Sequence, residues 1–160
     1  MSKILLPESR SRIRFKDCDP LGHLYNTRFL DYCLEAREDH ILEHYDLDLE
    51  RYASTYGHAW VVIHHEVAYF AEARRNEFVR IRSAMIHYDQ KKIINEYQMW
   101  DDQGIQLKFL MWTGFLHIDL SRKKAVNHGE EILKMLTDVH LDLDQKTFKE
   151  RINFLTGKTT

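Results

Sequence analysis

The pattern of apolar residues changes its period once along this chain, and that change restricts how the chain can fold. Around residues 27–42, apolar side chains recur at helical spacing: Phe29, Leu30, Cys33, Leu34, Ile41 and Leu42. From residue 60 to residue 120 the apolar pattern instead fits strands, in four segments. One long helix followed by strands indicates an α+β chain in which the helix covers one face of a sheet.

The strand segments are separated by short polar turns. We predict strands over residues 10–16, 60–70, 78–88, 93–100 and 105–120. The turns at residues 89–92 and 101–104 are short enough for hairpins, so the strands should be mostly antiparallel. Residues 47–57 predict a short helical or irregular connection, and residues 129–135 and 145–155 predict one or two further helices.

The last predicted strand is apolar on both faces. One alternating set contains Leu107, Phe109, Met111 and Phe115, and the other contains Leu110, Trp112, Leu116 and Ile118. A strand of this kind is covered on both faces. Since one helix covers only one face, we expect a second copy of the chain on the other. Filling of the core in a larger fold is the alternative.

Size and charge limit the protein class. The chain has 160 residues and 19.3 kDa, so we expect a single domain over residues 1–160 with a helical tail from about residue 129. Its net charge of −2 argues against a dedicated nucleic-acid partner. It shows no signal peptide, no apolar run long enough for a membrane span and only two cysteines, which predicts a cytoplasmic protein without a membrane partner.

Chemistry-bearing residues cluster just ahead of the long helix. Asp17, Asp19 and His23 lie within seven residues, and Asn26 or Thr27 is a plausible N-cap. Free backbone N–H groups at a helix start can stabilise a developing oxyanion, and a nearby carboxylate can attack a carbonyl carbon or deprotonate water. Each acidic residue taken alone is more often a cap or a partner of the helix dipole.

This segment resembles the signature of hotdog-fold acyl-CoA thioesterases of the 4-hydroxybenzoyl-CoA thioesterase type. The loop reads Asp17-Cys-Asp19-Pro-Leu-Gly22-His23, and the following helix reads Phe29-Leu-Asp-Tyr32-Cys-Leu-Glu35-Ala36-Arg37. Weaker similarity extends over roughly residues 10–125. The resemblance implies a long helix wrapped by an antiparallel sheet of about five strands, assembled as a homodimer or a homotetramer.

The resemblance also implies hydrolysis of an acyl-CoA thioester without a metal or a redox cofactor. It assigns Asp19 as the catalytic carboxylate, either as nucleophile or as general base for water. Backbone N–H groups near Asn26 and Thr27 would polarise the thioester carbonyl. His23 would orient substrate or water, and Asp17 would brace the loop.

Basic side chains are the predicted contacts of the CoA phosphates. Lys91 and Lys92 occupy a hairpin turn where relatives carry basic residues, and Arg122 begins a second basic cluster. Tyr25, two residues after His23, completes the predicted substrate contacts. A solvated turn is the alternative interpretation for the two lysines.

Other functions fit the sequence less well. Adjacent histidines such as His64 and His65 point to opposite faces of a strand, and no zinc motif is present, so we predict no metal site. A hotdog hydratase or dehydratase would carry its histidine five residues after the first Asp of the loop, whereas His23 follows Asp17 by six. A non-catalytic acyl-binding dimer module is the third possibility, and the intact Asp19 argues against it.

Overall fold

The structure, a computed structural model, describes residues 2–158. Its strands are β1 (Glu8–Arg12), β2 (His58–Tyr69), β3 (Phe78–Tyr88), β4 (Lys92–Asp101), β5 (Leu107–Asp119) and the short β6 (Lys124–Ala125). Its helices are α1 (Arg28–Tyr45), α2 (Leu49–Tyr56), α3 (Glu130–Val139) and α4 (Phe148–Thr156). The antiparallel sheet has the order β1–β3–β4–β5–β2, and β6 pairs with β5. The predicted α+β fold is confirmed.

The first strand lies closer to the N-terminus than predicted. The strand runs over Glu8–Arg12 rather than residues 10–16, and a single 3₁₀ turn, Phe15–Asp17, follows it. Ile13 is fully buried, but Phe15 is 74% exposed. Of these two apolar residues only Ile13 contributes to the core, and the backbone bends into the loop that carries Asp19.

Helix α1 packs on one face of the sheet, called here the inner face. Phe29, Cys33 and Ala36 of α1 belong to one buried cluster with inner-face side chains of β3, β4 and β5. The predicted apolar side of the helix is confirmed except at Leu42, which is 49% exposed. This packing fixes the position of the N-terminal end of α1, where the predicted site lies.

The chain itself covers the opposite, outer face of the sheet. Two adjoining clusters lie on this face. In one, α4 packs against Trp100, Leu107 and Leu110, and in the other Trp112 packs against Leu143 and Phe148. The expectation that a second copy covers this face is therefore wrong for the first half of β5. The sequence predicts a C-terminal helix, but the alternation of β5 does not indicate which segment packs on this strand.

A β-bulge also changes the face of one residue. Met99 pairs with Phe109 and Trp100 with Leu107, so Lys108 of β5 has no direct partner in β4. Leu107 consequently lies with the outer cluster rather than with Phe109, as strict alternation predicted. Such bulges redirect side chains at the ends of strands.

Strand β2 forms an edge of the sheet, and its middle is exposed. Val61, Val62, Ile63 and Val67 each expose between 37% and 49% of their surface, and β5 is the strand that pairs with β2. Long apolar edge strands are templates for pairing with another strand.

Within residues 2–158, no helix is both long enough and apolar enough to cross a membrane.

Candidate active site

The loop between β1 and α1 holds the Asp19 carboxylate by backbone contacts. Asp19 Oδ1 accepts hydrogen bonds from the N–H groups of Leu21 at 2.9 Å and His23 at 3.0 Å. The backbone closes around it, since Asp19 N–H donates to the His23 carbonyl at 2.8 Å. Gly22 has φ +81°, a left-handed conformation that glycine adopts without strain. One carboxylate oxygen is thus fixed, while Oδ2 has no hydrogen-bond partner within residues 2–158.

The start of α1 leaves N–H groups next to this carboxylate. Thr27 is the N-cap, as predicted, but its side chain makes no capping hydrogen bond. Arg28 N–H donates to the Tyr25 carbonyl at 2.9 Å. The N–H groups of Asn26 and Thr27 find no backbone acceptor in the described part of the chain. They are therefore free to bind an external oxygen.

His23 is oriented by a glutamate that the sequence analysis did not identify. His23 Nε2 lies 2.9 Å from Glu72 Oε2. Glu72 also accepts hydrogen bonds from Arg74, and this contact lowers the pKa of the Glu72 carboxyl. Lys108 at the β5 bulge donates from Nζ to the Glu72 carbonyl at 2.7 Å. No local motif signals this pair, because 49 residues separate His23 from Glu72.

An aromatic side chain closes the other wall of the site. Tyr69, at the end of β2, donates its hydroxyl to the Asn26 carbonyl at 2.7 Å and meets the Phe29 ring edge-on at 5.4 Å. A cavity of about 500 Å³ lies between these walls. Its lining includes Asp19, His23, Tyr25, Asn26 and Thr27 together with Tyr69 and Glu72. The structure thus brings five of the predicted site residues to one cavity.

Asp17 faces away from this cavity and into the loop. Its Oδ2 accepts a hydrogen bond from the Tyr32 hydroxyl at 2.7 Å, and the same hydroxyl accepts from the Arg14 N–H at 2.9 Å. Burial is the main cause that raises the pKa of Tyr32 to about 12, so the phenol keeps its proton and donates it to Asp17. The contact fits the expected bracing role.

The predicted CoA contacts lie at the opposite end of the sheet within one chain. Lys91 and Lys92 are exposed in the turn between β3 and β4, where the Asp89 carboxylate accepts from both backbone N–H groups. The Lys91 carbonyl accepts from His117 of β5, whereas Phe109 of β5 lies beside Tyr69 at the site. Eight residues of strand between them span about 26 Å. Arg122, beyond the end of β5, is equally remote.

The chain matches the thioesterase-like superfamily over residues 13–136, more than half of its length. No curated protein matches it by sequence.

Three similar solved structures carry the same fold. A 1,4-dihydroxy-2-naphthoyl-CoA thioesterase from Synechocystis has 20% identity and a TM-score of 0.75, covering 84% of this chain and 97% of its own. YbaW, a probable thioesterase from Escherichia coli, has 24% identity and a TM-score of 0.70, covering 84% and 98%. A Staphylococcus aureus protein solved in complex with CoA has 12% identity and a TM-score of 0.80, covering 95% and 94%. The chain therefore belongs to the thioesterase-like superfamily, as a thioester hydrolase with the hotdog fold.

Proposed function

We propose that this protein hydrolyses an acyl-CoA thioester and that Asp19 is its catalytic carboxylate. One observation carries the proposal: a carboxylate with one fixed and one unpartnered oxygen shares a cavity with the free N–H groups of Asn26 and Thr27. A nucleophile or base and an oxyanion-binding group must lie on either side of a reacting carbonyl, and this cavity supplies both.

The chemistry follows from those two groups. The thioester oxygen accepts hydrogen bonds from the N–H groups at the start of α1, which stabilise the negative charge that develops there. In one route Asp19 Oδ2 attacks the carbonyl carbon and the carbon–sulfur bond breaks, leaving a mixed anhydride and CoA thiolate, which takes a proton; water then hydrolyses the anhydride. In the other, Asp19 takes a proton from the attacking water. Both routes yield the free acid and CoA.

His23 acts beside the carboxylate. Glu72 holds its Nε2 at 2.9 Å and so sets the orientation of the ring. In this arrangement Nδ1 is the nitrogen left to meet substrate or water. We therefore assign His23 a substrate-orienting role and Glu72 a positioning role through His23.

The proposed assembly is a homodimer joined by the two β2 edges. Antiparallel pairing of β2 with its copy covers Val61, Val62, Ile63 and Val67. It also places the Tyr69 end of β2 beside the His58 end of the partner strand. The basic turn of the partner subunit, at residues 91–92, then approaches the site of the first copy, as does the partner's loop at residue 122. CoA phosphates would bind there as substrate groups.

A thiol-release assay with a panel of acyl-CoAs tests the activity. We expect Asp19→Asn to lower kcat by about 10²–10⁴-fold, the range found for a lost general base. Asp31→Asn is the matched control, because Asp31 is an exposed residue of α1 whose ion pair is with Arg28. Thiol release by Asp19→Asn at the wild-type rate, or none by the wild type with any acyl-CoA, would disprove the proposal.

A charge placed on the β2 edge tests the assembly. Ile63→Lys puts an ammonium group into the proposed strand pair, so sedimentation should show monomer for this variant and dimer for the wild type. Its activity should fall along with the dimer. Ile105→Lys, at a 75% exposed residue in the turn before β5, is the control and should remain dimeric. A monomeric wild type at micromolar concentration contradicts the assembly.

A further inference from the structure

A second cavity lies on the inner face of the sheet. It borders the second half of α1, whereas Asp19 lies near the start of that helix. Its volume is about 320 Å³, and its walls come from the second half of α1, from α2 and α3 and from the inner faces of β2, β4 and β5. The walls are mostly apolar, with Leu34, Ile41, Trp60, Phe115, Met135 and Val139 among them. An engineered apolar cavity of about 150 Å³ binds benzene, so this cavity has room for a larger apolar group.

A buried arginine and a buried asparagine interrupt the apolar wall. Arg37 and Asn95 both line the cavity, and each is only 6% exposed. Arg37 Nε and Asn95 Oδ1 are buried without a hydrogen-bond partner within residues 2–158. Buried polar atoms are nearly always satisfied in folded proteins, so unpartnered ones at the wall of a cavity are sites where a water or a polar ligand group can bind.

The neighbours of Arg37 do not neutralise its charge. Its Nη1 donates to Ser83 Oγ at 3.3 Å, and Ser83 Oγ lies 2.7 Å from His40 Nδ1. A serine hydroxyl can accept a second hydrogen bond as well as donate one, so this contact is compatible with a proton on either ring nitrogen of His40. His40 Nε2 is also buried and unpartnered within residues 2–158. The Arg37 guanidinium thus presents an unused donor, Nε–H, and a positive charge.

No carboxylate of the described chain forms an ion pair with Arg37. Glu38 borders the same cavity but is exposed to solvent, which screens its charge. The ring of Tyr45 lies 5.4 Å from the guanidinium carbon of Arg37, a weak substitute for a counterion. A buried guanidinium is costly unless an anion compensates it, and a carboxylate does so with charge-assisted hydrogen bonds.

We propose that this cavity binds the acyl group of the substrate and that Arg37 binds a carboxylate at the far end of that group. The substrate class is then the CoA half-thioester of a dicarboxylic acid. This inference rests on the proposed thioesterase activity, since it assigns the acyl part of the same substrate.

The proposed dimer connects the cavity with the reacting carbonyl. Antiparallel pairing of the β2 edges sets the Tyr69 end of one copy, with Asp19 nearby, beside the Trp60 end of the other. Trp60 and Val62 belong to the wall of the cavity. An acyl chain whose carbonyl lies at Asp19 therefore extends into the cavity of the partner subunit and reaches the partner's Arg37 with its far end.

Shape-matched substrate pairs test the assignment. Adipoyl-CoA is compared with 6-methylheptanoyl-CoA, in which an isopropyl group replaces the carboxylate, and the glutaryl and pimeloyl thioesters are compared with their own isopropyl analogues. For at least one length, we expect the wild type to favour the carboxylate by tenfold or more in kcat/KM. Arg37→Met should reverse the preference, and Arg37→Lys should keep part of it. Arg51→Met, at an exposed arginine of α2, should leave it unchanged.

A binding measurement separates this inference from the thioesterase proposal. Free adipate should raise the melting temperature of the wild type and of Asp19→Asn, but not that of Arg37→Met. If no acyl-CoA is hydrolysed and adipate still shows this pattern, the carboxylate site is supported and the proposed activity fails. If acyl-CoAs are hydrolysed with no carboxylate preference at any length, or if adipate stabilises Arg37→Met as much as the wild type, the inference is overturned.

Discussion

Two buried arginines, one on each face of the sheet, have opposite surroundings. On the outer face, Arg151 of α4 meets the fully buried carboxylate of Glu96, with Nε to Oε2 and Nη2 to Oε1 both at 2.9 Å. Trp112 and Gln98 donate to the same two oxygens, so the carboxylate is saturated. On the inner face, Arg37 is as deeply buried but makes one hydrogen bond within residues 2–158, to Ser83.

The difference shows on which face of the sheet the described chain itself compensates the buried charge. The outer face is covered by α4, and its buried charge has an opposite charge in reach. The inner face carries a cavity, and its buried charge borders that cavity without an anion. A buried cation is costly unless an anion compensates it, which is why the surroundings of Arg37 support the carboxylate site proposed above.

Breaking the outer pair should have the largest effect. Arg151→Met leaves the buried Glu96 carboxylate without its cation, and we expect the free energy of unfolding to fall by about 3–5 kcal/mol. Urea denaturation measures it. The double variant Arg151→Met with Glu96→Gln removes the uncompensated charge and should recover most of the loss. If the double variant is no more stable than the single one, lost packing rather than lost charge explains the cost.

Acid should weaken the inner face through His40. Burial, helped by the charges of Arg37 and His44, lowers the pKa of His40 from 6.5 to about 4. The unfolded chain therefore binds a proton from pH 6.5 downward that the folded chain refuses until about pH 4. The titration of His40 therefore leaves the free energy of unfolding unchanged above pH 6.5 and lowers it as the pH falls from 6.5 to 4. The slope is about 1.4 kcal/mol per pH unit, and the total loss is about 3 kcal/mol. Unfolding measured from pH 7 to pH 4 checks it.

His40→Asn is the control for that titration. Asparagine keeps an acceptor for the Ser83 hydroxyl but does not titrate, so its unfolding free energy should fall less steeply between pH 6.5 and pH 4. Protonation of the carboxylates is common to both proteins and cancels in the comparison. Equal slopes for the wild type and the variant would contradict a role for His40.

We expect the smallest change in the free energy of unfolding from the variant that is most directly comparable with Arg151→Met. Arg37→Met makes the same substitution as Arg151→Met at an equally buried site, but the charge that it removes has no counterion in the described part of the chain. The loss of the Ser83 hydrogen bond is offset by the relief of desolvation, so stability should rise or stay within about 1 kcal/mol. Urea denaturation without added ligand measures the change. A loss as large as that of Arg151→Met would mean that the guanidinium is structural.

Local pattern predicted most of the fold. The strand over Phe78–Tyr88 has the predicted bounds, and the long helix carries Phe29 and Cys33 into the core as expected. Alternation and helical spacing reflect burial directly, which explains this success. The face of Leu107 was missed because a single extra residue, Lys108, reverses the alternation at the bulge.

The site was predictable only where it is continuous in sequence. Asp19, His23 and Asn26 are close along the chain and share one cavity. Glu72 reaches His23 through the tertiary fold, and Arg37 stands in the helix motif without any local sign that it lacks an anion. Pairing across many residues, and its absence, depend on how the sheet and helices pack, and one sequence does not encode that in its local pattern.

The contact between Arg151 and Glu96 also sets an order of events during synthesis. Strand β4 leaves the ribosome 55 residues before the arginine that neutralises its glutamate. Until α4 emerges, Glu96, Trp112 and Leu110 face water, and the carboxylate remains hydrated. The inner face can close over α1 first, while the outer face is sealed last by the helix at the end of the described chain. Only after that helix is released can its side chains cover the outer face of the sheet.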